Sequence, residues 1–137
     1  MHDAHLHKIL YVEDDADLRK IVAMSLEMVG DYTVAACGSC ADALEVVDDF
    51  APDLLLLDVM MPDVDGPATL RALRKREGTA DTPAVFITAK VQAGDMAQYK
   101  RLGVFDVIVK PFDPMVLSDR IGQIWQQYRS GGHDVTG

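Results

Sequence analysis

Two hydrophobic patterns alternate along this chain, and that alternation limits what it can fold into. Short aliphatic runs occur at residues 9–12, 32–36, 54–57, 84–87 and 107–109. They carry no regular polar positions, so both faces of each run must be covered. This is the pattern of parallel strands buried inside a sheet. Between the runs lie segments of helical period. Leu18, Ile21, Val22, Ser25, Leu26 and Val29 form one stripe, closed by Gly30. Ala43, Val47 and Phe50 mark a second helix, with Ser39 as its cap and Pro52 beyond its end. Leu70 and Leu73 mark a third, with Pro67 in its first turn. A fourth is expected over residues 92–102, ended by Gly103. The fifth carries Leu117, Ile121, Ile124, Trp125 and Tyr128, capped by Asp113 with Pro114 at the first helical position. The order is (βα)5. Right-handed crossovers then give an α/β fold, a doubly wound five-stranded parallel sheet with helices on both faces.

Size and charge narrow the function. The chain has 137 residues, enough for one domain that buries on the order of two thirds of its unfolded surface. Residues 8–128 are expected to form that domain, with 1–7 a disordered N-terminus and 129–137 a flexible tail or linker stub. His2, His5 and His7 fall in the first of these. Thirteen basic and 22 acidic residues give a net charge of −9, which argues against sequence-independent nucleic-acid binding and against anionic membranes. The longest aliphatic run, 54–57, is far short of a membrane span, and the polar N-terminus has no signal-peptide core. The expected location is the cytoplasm, and the remaining ligands are small molecules, cations and protein partners.

In a parallel α/β sheet, ligands bind beyond the carboxyl ends of the strands. Glu13, Asp14 and Asp15 follow the first run, Asp58 follows the third, Thr88 the fourth and Lys110 the fifth. Carboxylates gathered on one rim raise one another's pKa unless a cation intervenes. Oxygen ligands without His or Cys suit Mg2+. The lysine and hydroxyl suit an anionic group at Asp58. Together they point to phosphoryl transfer onto a carboxylate.

The segments 9–15 (ILYVEDD) and 56–66 (LLDVMMPDVDG), the Thr88-Ala89 pair and Lys110-Pro111-Phe112 resemble the receiver domain of two-component response regulators. The likeness is to the chemotaxis-regulator type and runs over residues 8–128. It implies a flavodoxin-like sheet of strand order 2-1-3-4-5 and a phosphorylation-dependent switch rather than a turnover enzyme. It further implies that Asp58 accepts a phosphoryl group from a histidine kinase or histidine phosphotransfer protein. Asp14, Asp58 and the Met60 carbonyl would hold Mg2+, with Glu13 reaching it through water and Asp15 capping the next helix. Lys110 would contact the phosphoryl group, Thr88 would be the moving hydroxyl, and the Lys110–Pro111 peptide would be cis. The downstream protein or output domain is not identified by the resemblance.

Val107 departs from the family pattern, because it stands where Tyr or Phe usually partners the switch hydroxyl. The nearest aromatic, Phe105, is expected to face away from it. Met60 and Lys90 occupy the positions that tune loss of the phosphoryl group, and Met60 cannot orient a water, so slow loss is expected. Asp106 and Arg120 occupy positions where one subfamily forms salt bridges between subunits, which raises a homodimer through the fourth helix, fifth strand and fifth helix.

Other readings compete. A Mg2+-dependent aspartyl-phosphate phosphatase would use the same carboxylate. Cys37-Gly-Ser-Cys40 is a C-x-x-C motif opening a helix, the setting of a redox dithiol. Asp63-Val-Asp-Gly66 superficially resembles a phosphatase motif or calcium loop but reads better as a turn. The basic run Arg71, Arg74, Lys75, Arg76 reads as a solvated helix face.

Overall fold

The computed structural model describes residues 6–131. Five parallel strands, β1 (Lys8–Val12), β2 (Thr33–Cys37), β3 (Leu54–Asp58), β4 (Ala84–Thr88) and β5 (Val104–Val109), form one sheet of order 2-1-3-4-5. Five helices alternate with them: α1 (Ala16–Met28), α2 (Cys40–Phe50), α3 (Gly66–Arg74), α4 (Asp95–Arg101) and α5 (Pro114–Arg129). This is the flavodoxin-like arrangement expected above. Among the described residues no helix is long and apolar enough to cross a membrane.

Strand alternation divides the core in two. Leu10, Leu55, Leu57 and Phe86 face α2, α3 and α4, where Val47, Leu70, Leu73 and Tyr99 meet them. Ile9, Tyr11, Leu54, Leu56 and Ile87 face α1 and α5, against Val22, Leu26, Ile121 and Ile124. The four leucines of β3 are wholly buried, as a central strand covered on both sides requires.

The capping residues behave as expected. Asp15, Ser39 and Asp113 accept backbone N–H groups at the starts of α1, α2 and α5. Asp65 does the same for α3, accepting from Ala68 N–H at 3.0 Å, so the segment from Asp63 to Gly66 is a turn and a cap. Helix α4 starts three residues later than the pattern suggests. Gly94 takes a left-handed φ of 89° and Asp95 accepts the Gln92 N–H at 2.7 Å, which makes residues 92–94 a turn.

Strand β5 is three residues longer at its start than its aliphatic run. Buried Asp106 interrupts the run in sequence but not in space. A β-bulge explains the rest. Ala84 pairs with Val104 but Val85 pairs with Asp106, so β5 carries one extra residue. Residues two apart share a face in a regular strand, so simple alternation would put Phe105 beside Val107. The bulge breaks that rule: Phe105 packs against the α1–α5 core and Val107 against the α2–α4 core.

Parts of the expected termini, 1–5 with His2 and His5, and 132–137, lie outside the described residues. Within the described part, Leu6 is buried in the α1–α5 core and the His7 carbonyl accepts from Thr33 N–H at 2.7 Å. Packing therefore starts two residues before position 8, and α5 carries it through Arg129.

Leu56→Ala should cost about 2–5 kcal/mol, the range for emptying a buried leucine site, whereas Met28→Ala, at 78 % exposure, should change stability by no more than about 0.5 kcal/mol. Urea unfolding midpoints measure both. Equal effects would contradict a sheet covered on both faces.

Candidate functional site

The site is built where β1, β3 and β5 end. Glu13 follows β1 directly, and its main chain is tied on both sides. Its N–H donates to the Cys37 carbonyl at 2.9 Å, and its carbonyl accepts from the Arg19 guanidinium at 2.8 Å. The end of β2 thus contributes a backbone group, although the sequence places no charged residue there. A side chain at Gly38 would fall 2.9 Å from that same Arg19 nitrogen. Asp58 is the last residue of β3. Gly66 packs on its backbone so closely that a Cβ there would lie 2.7 Å from the Asp58 carbonyl oxygen. Only glycine permits this approach, so Gly66 does more than close a turn.

Lys110 leaves β5 with its N–H donating to the Thr88 carbonyl at 2.8 Å, and the Lys110–Pro111 peptide is cis. Its Nζ lies 3.2 Å from Glu13 Oε1 and 3.1 Å from Asp58 Oδ1. Both carboxylates are 1 % exposed as residues. The contact with Asp58 is an ion pair without hydrogen-bond alignment, and Asp58 Oδ1 is a buried oxygen lacking a hydrogen-bond donor. Asp14 projects to solvent beside them, and carboxylate oxygens of Glu13, Asp14 and Asp58 lie within 4.8 Å of one another.

Burial dominates the electrostatics. Desolvation pushes the Glu13 carboxyl up to about 7, with the Asp58 charge adding to the shift and the Asp15 N–H and Lys110 opposing it. Asp58 is also raised by burial, against the pull of Lys110. Burial alone would lower Lys110, but the charges of Asp58 and Glu13 outweigh it and raise the group. Tyr11 lies beneath this cluster, fully buried with its hydroxyl unpartnered, and burial raises it strongly. An underpartnered, desolvated group of carboxylates with hard oxygen donors fits a divalent cation of the Mg2+ type. Glu13, Asp14 and Asp58 are the side chains available to hold it.

Thr88 is not turned toward this cluster. Its hydroxyl donates to the Lys90 carbonyl at 3.0 Å and accepts from Lys90 N–H at 3.3 Å. Met60, 72 % exposed, and Lys90 line the same cleft as Thr88. Asp106 and Arg120 pair with each other inside one chain, 3.3 Å apart. Arg74 is not part of a solvated face: its guanidinium donates inward to the carbonyls of Thr79 and Gly103 at 3.0 and 3.5 Å. Cys37 and Cys40 are buried free thiols, and burial raises Cys37. That direction is opposite to the activated thiolate a redox dithiol needs.

A buried acid pair bridged by a strand-end lysine, on a doubly wound sheet of order 2-1-3-4-5, defines a receiver-type signalling domain. The profile of the response regulator receiver domain matches residues 9–122, and the chain belongs to that family. It is 36% identical over 127 residues to the phosphate regulon transcriptional regulatory protein PhoB of Pseudomonas aeruginosa, covering 93% of this chain and 55% of PhoB. It is 40% identical over 107 residues to the DNA-binding dual master transcriptional regulator RpaA of Synechocystis, covering 77% and 44%. Among solved structures, chemotaxis protein CheY4 of Vibrio cholerae superposes with a TM-score of 0.80 at 26% identity, covering 88% of this chain and 99% of CheY4. The chain spans about half the length of the curated relatives it matches.

The raised Glu13 fixes a pH dependence. In metal-free protein the folded state holds a proton that the unfolded chain releases near its ordinary 4.5. The resulting stability is fully present below pH 4.5 and lost as pH rises through about 7. Raised Asp58 acts in the same direction. Mg2+ needs the ionised acids, so the rise in Tm it causes should be larger at pH 8 than at pH 5. At a hundredfold excess over Kd the added stability should reach about 2.7 kcal/mol. Calorimetry with and without Mg2+ measures this, and an unchanged Tm at saturating Mg2+ at pH 8 would rule out the cation site.

Proposed function

We propose that this chain is a phosphorylation-dependent switch whose phosphoacceptor is Asp58. The observation that carries the reading is the placement of Lys110 Nζ at 3.1 Å from Asp58 and 3.2 Å from Glu13, with Asp14 completing an oxygen cluster. A carboxylate oxygen of Asp58 attacks phosphorus and forms a P–O bond as the donor histidine's P–N bond breaks. The electron pair of that bond stays on the imidazole nitrogen. Lys110 holds Asp58 in its ionised, nucleophilic form and then neutralises charge on the transferred group. Mg2+, when bound, would supply further charge neutralisation, and Asp14, Asp58 and the Met60 carbonyl, with Glu13 beside them, would hold it. Thr88 leaves Lys90 and turns its hydroxyl toward the new phosphoryl oxygens, which shifts the surface between two states.

The donor is a histidine kinase or histidine phosphotransfer protein, met in the cytoplasm. The output is a protein partner or an attached domain, since the relatives that the chain matches are about twice its length. A homodimer through α4, β5 and α5 would have to exchange the internal Asp106–Arg120 pair for contacts between subunits. An apolar groove bears on donor docking. Ile21, Met24 and Met28 of α1 and Met115 of α5 are all about half exposed or more, and they line a groove with Pro114, four residues beyond Lys110. Ser25 of α1 donates to the Pro114 carbonyl and holds the two helices together there. A donor must approach the rim that carries Asp14 and Lys110 to reach Asp58.

Incubation with Mg2+ and acetyl phosphate should add one phosphoryl group per chain, removed by hydroxylamine as an acyl phosphate is, read by mass spectrometry. Asp58→Asn should abolish it, and Lys110→Met should slow its formation by about 10²–10³, the scale of removing one oriented charge-stabilising group. With Met60 and Lys90 at the tuning positions, the phosphoryl group should persist once acetyl phosphate is removed. Steady turnover of small phosphate esters would favour the phosphatase reading, and modification retained in Asp58→Asn would refute the phosphoacceptor.

The docking groove separates protein donors from small ones. Met24→Asp with Met115→Asp should slow transfer from a histidine kinase that phosphorylates the wild-type chain and leave transfer from acetyl phosphate unchanged. Equal effects on both donors would exclude the groove as the docking surface.

A further inference from the structure

The switch described above lacks the aromatic residue on β5 that usually accompanies the moving hydroxyl, yet an aromatic ring stands close by. Tyr99 is the one buried residue of α4, at 3 % exposure. Its ring meets Phe86 edge-on, with centroids 4.9 Å apart and an interplanar angle of 82°. Phe86 lies two residues before Thr88 in β4, so the two side chains leave the sheet on one face. Val107 pairs with Phe86 in register on the neighbouring strand and packs into the same core. Beside Phe86, therefore, β5 supplies only an aliphatic side chain and α4 supplies the ring. Tyr99 and Thr88 also line one cleft of about 410 Å³, between the β3–α3 loop and α4.

No side chain caps the start of α4 at Gly94, and the Thr88 hydroxyl holds the Lys90 main chain in both directions just before it. A hydroxyl that turns to a phosphoryl group on Asp58 must release Lys90. The segment leading into α4 then loses that tie to β4, and Tyr99 remains as the helix's buried anchor on β4.

We propose that Tyr99 is the positioning residue that makes Thr88 and α4 move together, doing from α4 what an aromatic on β5 would otherwise do. This rests on the phosphoacceptor reading of Asp58, and the test separates the two. The full chain is titrated with Mg2+ and beryllofluoride, and backbone hydrogen exchange is followed over residues 90–102, with α5 as internal reference. In the wild-type chain beryllofluoride should bind in an Asp58-dependent way and change exchange over 90–102. Tyr99→Leu should bind with unchanged affinity yet lose that change. Tyr99→Phe should keep it, because the ring carries the coupling. Tyr99→Leu combined with Val107→Tyr should regain it.

Retention of the exchange change in Tyr99→Leu would overturn the proposal. So would its loss without rescue by Val107→Tyr, since Tyr99 would then be a packing residue alone. Beryllofluoride binding that ignores Asp58→Asn would instead sink the phosphoacceptor reading beneath it. If Tyr99→Leu does not fold, fluorotyrosine NMR of the otherwise wild-type chain decides. The Tyr99 resonance, assigned by its absence in Tyr99→Phe, should shift on beryllofluoride binding and stay fixed in Thr88→Ala. A resonance that does not shift in the wild-type background overturns the proposal.

Discussion

Two carboxylates, Glu13 and Asp58, are buried at the ends of neighbouring strands, and a single ammonium group lies within ion-pair distance of both. Burying such acids without a partner would cost several kcal/mol each, so the position of Lys110 conditions everything around it. Strand β5 is not adjacent to β3. Two strand spacings, about 9–10 Å, separate them, and the lysine must reach across the end of β4. That strand ends in Thr88, a small residue, with its carbonyl accepting the Lys110 N–H. The order 2-1-3-4-5 therefore does more than bury leucines. It brings the acids of two strands and the cation of a third to one rim, with a short hydroxyl between them.

The two faces of the sheet meet at that rim with different chemistry. Asp58 shares its parity with Leu56 and Lys110 with Ile108, residues of the α1–α5 core, whereas Thr88 shares its parity with Phe86 of the α2–α4 core. The apolar groove between α1 and α5 lies on the first side and the cleft under α4 on the second. The end of β4 thus stands between the two, with Thr88 turned to one side and the acids and lysine to the other. The helices match this division. Helix α1 is capped by Asp15 and packed through Val22, Ser25 and Leu26, while α4 has no side-chain cap and buries Tyr99 alone.

Most of the architecture was legible in the sequence because buried parallel strands leave unbroken aliphatic runs, and because the rim residues are the first polar groups after those runs. Asp15, Ser39 and Asp113 were legible as caps by their chemistry and position. What escaped detection depends on distance rather than spacing. The start of β5 was hidden by Asp106, a charged residue buried against Arg120. Arg74 read as one of a solvated run, but its carbonyl partners at Thr79 and Gly103 are brought to it by the fold. The contributions of Gly66 and of the Cys37 carbonyl are backbone contacts that residue types do not reveal. Thr88 is legible as the polar residue closing the β4 run, whereas its attachment to Lys90 is a hydroxyl-to-backbone contact that residue types do not reveal.

The bulge in β5 has a mechanical consequence. On its C-terminal side the register with β4 is regular, Thr88 pairing with Val109 next to Lys110. On its N-terminal side lies the short connection from α4. One residue gained or lost in that connection changes how the chain enters the bulge and leaves the ladder beyond it unshifted. The bulge therefore works as an expansion joint. It lets the helix and turn before β5 vary in length, or move, while the ammonium group at the far end keeps its address.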